Sequence, residues 1–256
     1  MVLAKSPLRD PDEEEIRGYR EALDLIYEQH QKLSISEKTI LQLHRISRAN
    51  IGDAGKYKKR DSDIIEKLPD GRVRVRFKTV SARETPAAMR QLAWEDSVDE
   101  RVVRPAIAIA AMNLDFLCIH PFRDGNGRVS RLLLLLQCYH FGFEVGRYIS
   151  LERLIEENKD RYYETLEQSS QGWHEGQHDP WPYIGYILYI LKTAYREFEE
   201  RVGRANGRCD TETLKKPTTE QKKTAKNLEK AHKRGSTGRG NKGRCLATYL
   251  IGSQFR

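Results

Sequence analysis

Apolar residues recur at helical spacing along most of the chain, and the elements they predict are helices. Ile16, Tyr19, Leu23, Ile26 and Tyr27 form one stripe, and Glu37 to Ile46 predicts a second, shorter helix opened by Ser34 or Ser36 as its cap. Val103, Ile107, Ala110, Leu114 and Leu117 mark a third, spanning 103 to 118. From Arg128 to about His140 the pattern is apolar on nearly all sides through the run Leu132 to Leu136, which predicts a central, surrounded helix stopped near Gly142. Later stripes run from Leu154 to Leu166 and through Trp181, Ile184, Leu188, Leu191, Tyr195 and Phe198. One segment has the other period. Val73, Val75 and Phe77 alternate with Arg72, Arg74 and Arg76, and Asp70-Gly71 separates them from Ile64 to Pro69, so a hairpin with a two-residue turn is expected. The fold class is all-α, a helical bundle with one small β-hairpin that must lean on the helices.

Composition narrows the classes. The chain has 256 residues with 38% hydrophobic content, enough for one ordinary domain and an appendage. The run Leu132 to Leu136 is far short of a membrane span, and the acidic stretch Asp10 to Glu15 does not suit a signal peptide, so no membrane is expected as partner. Cysteines at 118, 138, 209 and 245 make no CxxC pair, which points to a reducing, cytoplasmic setting. The net charge of +8 is unevenly placed: residues 201–256 hold 15 Lys and Arg against 4 acids, leaving residues 1–200 at 30 against 33. Nucleic acid is therefore not an expected partner, unless through this basic tail, which reads as disordered or as a degenerate arm.

The chemistry is concentrated in His120 to Arg131, HPFRDGNGRVSR. The glycines flanking Asn126 leave backbone N–H groups unobstructed, and at a helix N-terminus these form a nest suited to phosphate oxygens. Arg128 and Arg131 stand one turn apart, so two guanidinium forks can face one anion. Asp124 beside a phosphate calls for a cation between them, and Mg²⁺ suits hard oxygen ligands. His120 is a base with an ordinary pKa of about 6.5, close to physiological pH.

These residues match the signature HxFx(D/E)GNGRxxR at every specified position, so the chain resembles the Fic proteins, which transfer the AMP part of ATP to a protein hydroxyl. The resemblance spans roughly residues 16–200 and implies a Fic-type helical bundle. It implies that His120 takes the proton of a Ser, Thr or Tyr hydroxyl, that Phe122 fills the core beneath the loop, and that Asp124 holds Mg²⁺. Gly125, Asn126, Gly127 and Arg128 would cradle the phosphates of ATP, with Arg131 reaching the γ-phosphate. A kinase branch of the family replaces the two glycines by Ala and Lys; this chain keeps both, which favours nucleotidyl transfer. The hairpin at about 62–78 resembles the family's flap, which holds the target protein by strand addition. Removal of AMP from a modified protein, or transfer of another phosphate-containing group, is the alternative activity, and a non-catalytic scaffold the less favoured one.

Three further expectations follow from the resemblance. Tyr162 and Tyr163 match a pair that borders the adenine site, although helical core packing accounts for them equally well. Residues 1–15 form an N-terminal extension and 201–256 a tail outside the catalytic domain of 16–200. Many members carry an inhibitory helix reading (S/T)xxxE(G/N), whose glutamate pairs with the arginine at the position of Arg131. Here Glu157-Asn158 and Glu175-Gly176 are preceded, four residues before each glutamate, by Arg153 and Gln171 and do not fit, and nine residues precede Asp10. Arg131 is therefore expected to be free, and the resemblance allows both a homodimer and a small antitoxin-like chain that supplies the glutamate. His174 and His178, among Gly172, Gly176 and Pro180, read as a solvated loop.

Overall fold

A computed structural model of the chain describes residues 11–49, 52–67, 70–92 and 103–212. The chain divides at Gly203 into two compact units, and the fold below is that of the first. Its elements are α1 (Pro11–Gln29), α2 (Glu37–Ser47), β1 (Ile64–Lys67), β2 (Val73–Phe77), α3 (Thr85–Gln91), α4 (Pro105–Ile119), α5 (Asn126–His140), α6 (Leu151–Glu157), α7 (Lys159–Ser170) and α8 (Trp181–Glu212). This is the expected helical bundle with one antiparallel hairpin. Among the described residues no helix is long and apolar enough to cross a membrane.

The bundle is organised around α5, against which α1, α2 and α4 pack. Leu132, Leu133 and Leu136 are wholly buried, as the all-round apolar pattern requires. The helix ends in a Schellman motif: Phe143 N–H donates to Cys138 O (2.7 Å) and Gly142 N–H to Tyr139 O (3.1 Å), with Gly142 left-handed at φ 76°. At the start of α2, Ser36 is the cap, its Oγ accepting from Thr39 N–H at 3.3 Å.

Helix α1 corrects the sequence pattern in one respect. Ile16 is 55% exposed, and the inward face is Gly18, Ala22 and Ile26. A Cβ on Gly18 would stand 2.4 Å from Ile46 O, so the glycine lets α1 close onto the end of α2. That approach brings Glu15 to Arg48 at the end of α2.

The polar centre of the core is Asn113 on α4. Its Nδ2 donates to Ser130 O (2.9 Å), while its Oδ1 accepts from Ser130 Oγ (3.0 Å) and from Tyr183 Oη (2.7 Å), tying α4, α5 and α8 together. Asn113→Ala would strand two buried hydroxyls, and a loss of about 2 to 4 kcal/mol in urea unfolding is expected. A loss below about 0.5 kcal/mol, the range of ordinary surface changes, would refute the network's weight.

Two expectations about local structure fail for visible reasons. The stripe Leu154 to Leu166 is two helices, because Asn158 leaves helical geometry (φ −117°, ψ 31°) and its Nδ2 bonds Leu154 O at 2.8 Å, closing α6. The hairpin pairs Lys67 with Val73, so its connection is five residues, 68–72, and not two. Asp70 Oδ1 accepts from Arg72 N–H (3.0 Å) in that connection, and Gly71 takes φ 83°. A register irregularity between Ile64 and Ile65 also bends the ladder. Most of the basic tail lies outside the described residues; α8 runs past residue 200 to Glu212.

Candidate functional site

The motif forms a tight loop between α4 and α5. His120 closes α4 in a left-handed conformation (φ 53°, ψ 60°), its N–H still donating to Phe116 O at 3.0 Å. Such a conformation is uncommon for a residue with a Cβ and persists only where the surroundings impose it. Four contacts hold the loop here. Asn126 Oδ1 accepts from Phe122 N–H (2.9 Å) and Asn126 Nδ2 donates to Phe122 O (2.8 Å), closing the loop. Phe122 is wholly buried and stacks on His44 with ring centroids 3.7 Å apart. Lys58 N–H donates to Pro121 O at 2.9 Å.

His44, wholly buried on α2, acts as a pin. Its Nδ1 accepts from Gly55 N–H (3.0 Å), so Nε2 carries the proton and donates to Asp124 O at 3.1 Å. Burial holds its pKa below the ordinary value, in keeping with the neutral ring this arrangement needs.

The loop delivers Gly125 as the cap of α5, left-handed at φ 84°. A side chain there would be strained whatever the space, because that region favours glycine. The first helical bond is Val129 N–H to Gly125 O, so the N–H groups of Asn126, Gly127 and Arg128 project from the helix end as an anion nest. A Cβ on Gly127 would meet only Arg131 Nη1, at 3.6 Å. The side-chain amide of Asn126 is committed to Phe122, so only its backbone faces a ligand.

Both motif arginines are held by carboxylates. Arg128 Nη1 donates to Glu15 Oε2 at 2.7 Å, and Arg131 Nε to Glu152 Oε1 at 3.2 Å. Tyr19 bonds both Arg131 and Glu152. The expectation that Arg131 is free is therefore wrong. Its partner lies on α6, outside any (S/T)xxxE(G/N) pattern, and the 21-residue separation gave no sequence signal. Asp124 receives Arg48 Nη1 on Oδ2 (2.8 Å) and Gly125 N–H on Oδ1 (2.6 Å), yet its side chain is 60% exposed. No cluster of three or more His, Cys, Asp or Glu suited to a metal occurs among the described residues. A Mg²⁺ ion there would rest on Asp124 alone, with phosphate oxygens and waters completing its shell, which is how that ion is commonly held.

Lys58 is the residue that sequence reasoning missed beside the base. It is 5% exposed, and its Nζ donates to Thr79 Oγ1 (2.7 Å) and Ile119 O (3.4 Å), under the His120 turn. Burial pushes its pKa down to about 8. Burial and then the charge of Lys58 push His120 down to about 4, which corrects the expectation of a base near neutrality. The ring is thus neutral from about pH 4 upward, and its depressed pKa costs folding stability as pH falls from the unfolded value of about 6.5 toward 4. In an NMR titration His120 is expected to titrate near pH 4, and at a higher pH in Lys58→Met. A midpoint near 6.5 in the unaltered protein would contradict this account.

A cavity of about 270 Å³ opens between the hairpin, α4 and α7, lined by Ile64, Ile65, Glu66, Arg76, Phe77, Leu117, Cys118, Tyr163, Leu166, Glu167 and Ser170. Leu117 and Cys118 place its floor within one turn of His120. Tyr163 is 49% exposed at this wall, whereas Tyr162 is 6% exposed and packs against Tyr183 and Tyr186 at 6.0 and 5.8 Å. Only one of the tyrosine pair therefore lines the cavity. Arg76 bonds Glu167 on α7, tying the hairpin over it. His174 lies in an exposed loop, as expected, yet its ring stacks on Phe77 (5.6 Å) and contacts Lys78 O at 2.6 Å, a second tie.

Residues 34–138 match the Fic/DOC family. Protein adenylyltransferase fic-1 of Caenorhabditis briggsae is 24% identical over 249 residues, taking in 92% of this chain and 43% of that protein. Protein adenylyltransferase Fic of Nematostella vectensis is 26% identical over 179 residues, 68% of this chain and 36% of that protein. The chain thus spans less than half the length of either relative. A crystal structure of a Fic family protein from Desulfovibrio desulfuricans G20 matches in fold with TM-score 0.60 at 23% identity, over 78% of this chain and 56% of that one.

Proposed function

The chain carries a Fic/DOC family domain, and on that premise we propose that it transfers AMP from ATP to a Ser, Thr or Tyr hydroxyl of a protein. The observation that carries this reading is the placement of His120, the α5 N-terminus and an apolar-walled cavity within a few residues of one another. The nest and Arg128 and Arg131 receive the phosphates, and Tyr163, Ile65 and Leu166 offer apolar wall to the base. Asp124 would hold Mg²⁺, which supplies charge neutralisation at the phosphates. His120, neutral and fixed by its loop, accepts the hydroxyl proton. The hydroxyl oxygen forms its bond to the α-phosphorus as the bond to the β-phosphate bridging oxygen breaks, and pyrophosphate leaves with that electron pair.

The test uses ATP labelled on either the α- or the γ-phosphorus, incubated with purified protein, Mg²⁺ and a cell lysate. Protein-bound α-label without γ-label is expected. Transfer of the γ-label would instead make the protein a kinase, and no label of either sort on any protein would defeat the proposal.

A further inference from the structure

We infer that the chain docked along the hairpin is an acidic, extended protein segment with apolar side chains at alternate positions; that it carries the accepting hydroxyl rests on the transferase reading above. Charge is the first observation. Residues 56–92 hold eleven Lys and Arg against five Asp and Glu, a net of +6, although residues 1–200 as a whole are net negative at 30 against 33. The hairpin region is thus a basic island on an acidic body. On the hairpin itself the Arg72 and Arg74 side chains are 79% and 63% exposed. Arg72 shares the carboxylate of Asp70 at the tip, and the carboxylate recorded near Arg74 is Glu167, at 3.8 Å. Exposed guanidiniums in excess over their acids raise the local concentration of an anionic partner.

The second observation is apolar surface where a soluble hairpin would ordinarily place polar side chains. Ile65, Val73 and Val75 are 52, 57 and 54% exposed. Ile65 pairs directly with Val75, and Val73 lies two residues along the same strand, so the three share one face. Among the described residues the sheet has two strands, which leaves each strand one edge without a strand partner. An added strand would bond its backbone to that edge, rest its alternate apolar side chains on Ile65, Val73 and Val75, and set its acids toward Arg72 and Arg74. Arg74, between the valines, and Arg72, beside Val73, repel a lysine-bearing segment, so the same surface discriminates by sign.

Binding is measured by fluorescence anisotropy of dye-labelled peptides on the full chain without ATP, so the result stands whether or not transfer occurs. The peptides share a central Thr and alternate Val, and differ only in Glu or Lys at the intervening positions. The glutamate peptide is expected to bind about tenfold more tightly, reading two exposed charge pairs switched from attraction to repulsion. The preference is expected to shrink as salt rises from about 0.1 to 0.5 M. Arg72→Glu/Arg74→Glu should reverse it, and Val73→Ser/Val75→Ser should weaken the glutamate peptide severalfold. Equal binding of the two peptides, a preference retained in the arginine variant, or a single-stranded oligonucleotide that outcompetes the glutamate peptide at the hairpin overturns the inference. Absence of α-label on a peptide that does bind speaks against the transferase reading alone.

Discussion

His120→Ala is expected to lower AMP transfer by about 10²- to 10⁴-fold, the usual contribution of one positioned base, while leaving Mg·ATP affinity within about twofold. The separation follows from geometry. In the proposed reaction the phosphates would take the α5 N-terminus and the two arginines, whereas His120, at the end of α4, would meet the incoming hydroxyl. Its neutral form is the one that can accept a proton, and with its pKa pushed down to about 4 the ring stays neutral across the physiological range. The acid limb of kcat/KM, which reports the free enzyme, is accordingly expected near pH 4 and not near 6.5. Transfer by His120→Ala at the rate of the unaltered protein would remove the histidine from the mechanism. Equal losses of transfer and ATP affinity would show that it organises the nest.

Where the chain makes its chemistry from neighbours in sequence, the pattern was readable. His120, Asp124, the glycines, Arg128 and Arg131 fall within twelve residues, and the leucine run that follows announces the buried helix on which they are mounted. What holds that loop was not readable, because its partners arrive from far away. His44 reaches Asp124 across 80 residues and Glu15 reaches Arg128 across 113. A lone histidine in an amphipathic helix, or a glutamate in an acidic stretch, looks the same whether solvated or structural. Lys58 is the sharpest case: a lysine among lysines in Lys56 to Arg60 gives no sign that it alone is 5% exposed, bonded to Thr79 and Ile119. The hairpin was visible through its alternation, yet the five-residue connection was not, since Asp70-Gly71 satisfies a two-residue turn and a longer one alike. The pairing of Arg131 shows in no short pattern, because its carboxylate, Glu152, comes from the first turn of α6, 21 residues away.

That pairing leads to the second large effect, on nucleotide affinity. Arg131→Ala is expected to weaken Mg·ATP binding by about 10- to 100-fold in calorimetry, the loss of one charge-assisted, partly desolvated hydrogen bond to phosphate. Glu152→Gln is expected to act in the opposite direction. In the structure Glu152 Oε1 accepts from Arg131 Nε at 3.2 Å while the Arg131 side chain is 27% exposed, so an arriving phosphate meets a carboxylate already drawing on the same guanidinium. The amide keeps the shape and can still accept from Arg131, but it brings no negative charge. Binding should tighten severalfold, with the gain fading at high salt as screened repulsion would. If Glu152 served only to orient the guanidinium, its loss would instead weaken ATP, and the two readings thus differ in sign. The double variant decides between them independently: with Arg131 absent, competition for the guanidinium is gone, so Glu152→Gln should add little to Arg131→Ala beyond relief of plain repulsion. A weaker-binding Glu152→Gln, or an Arg131→Ala protein that binds Mg·ATP as tightly as the unaltered one, would show that the γ-phosphate is not seated at this arginine.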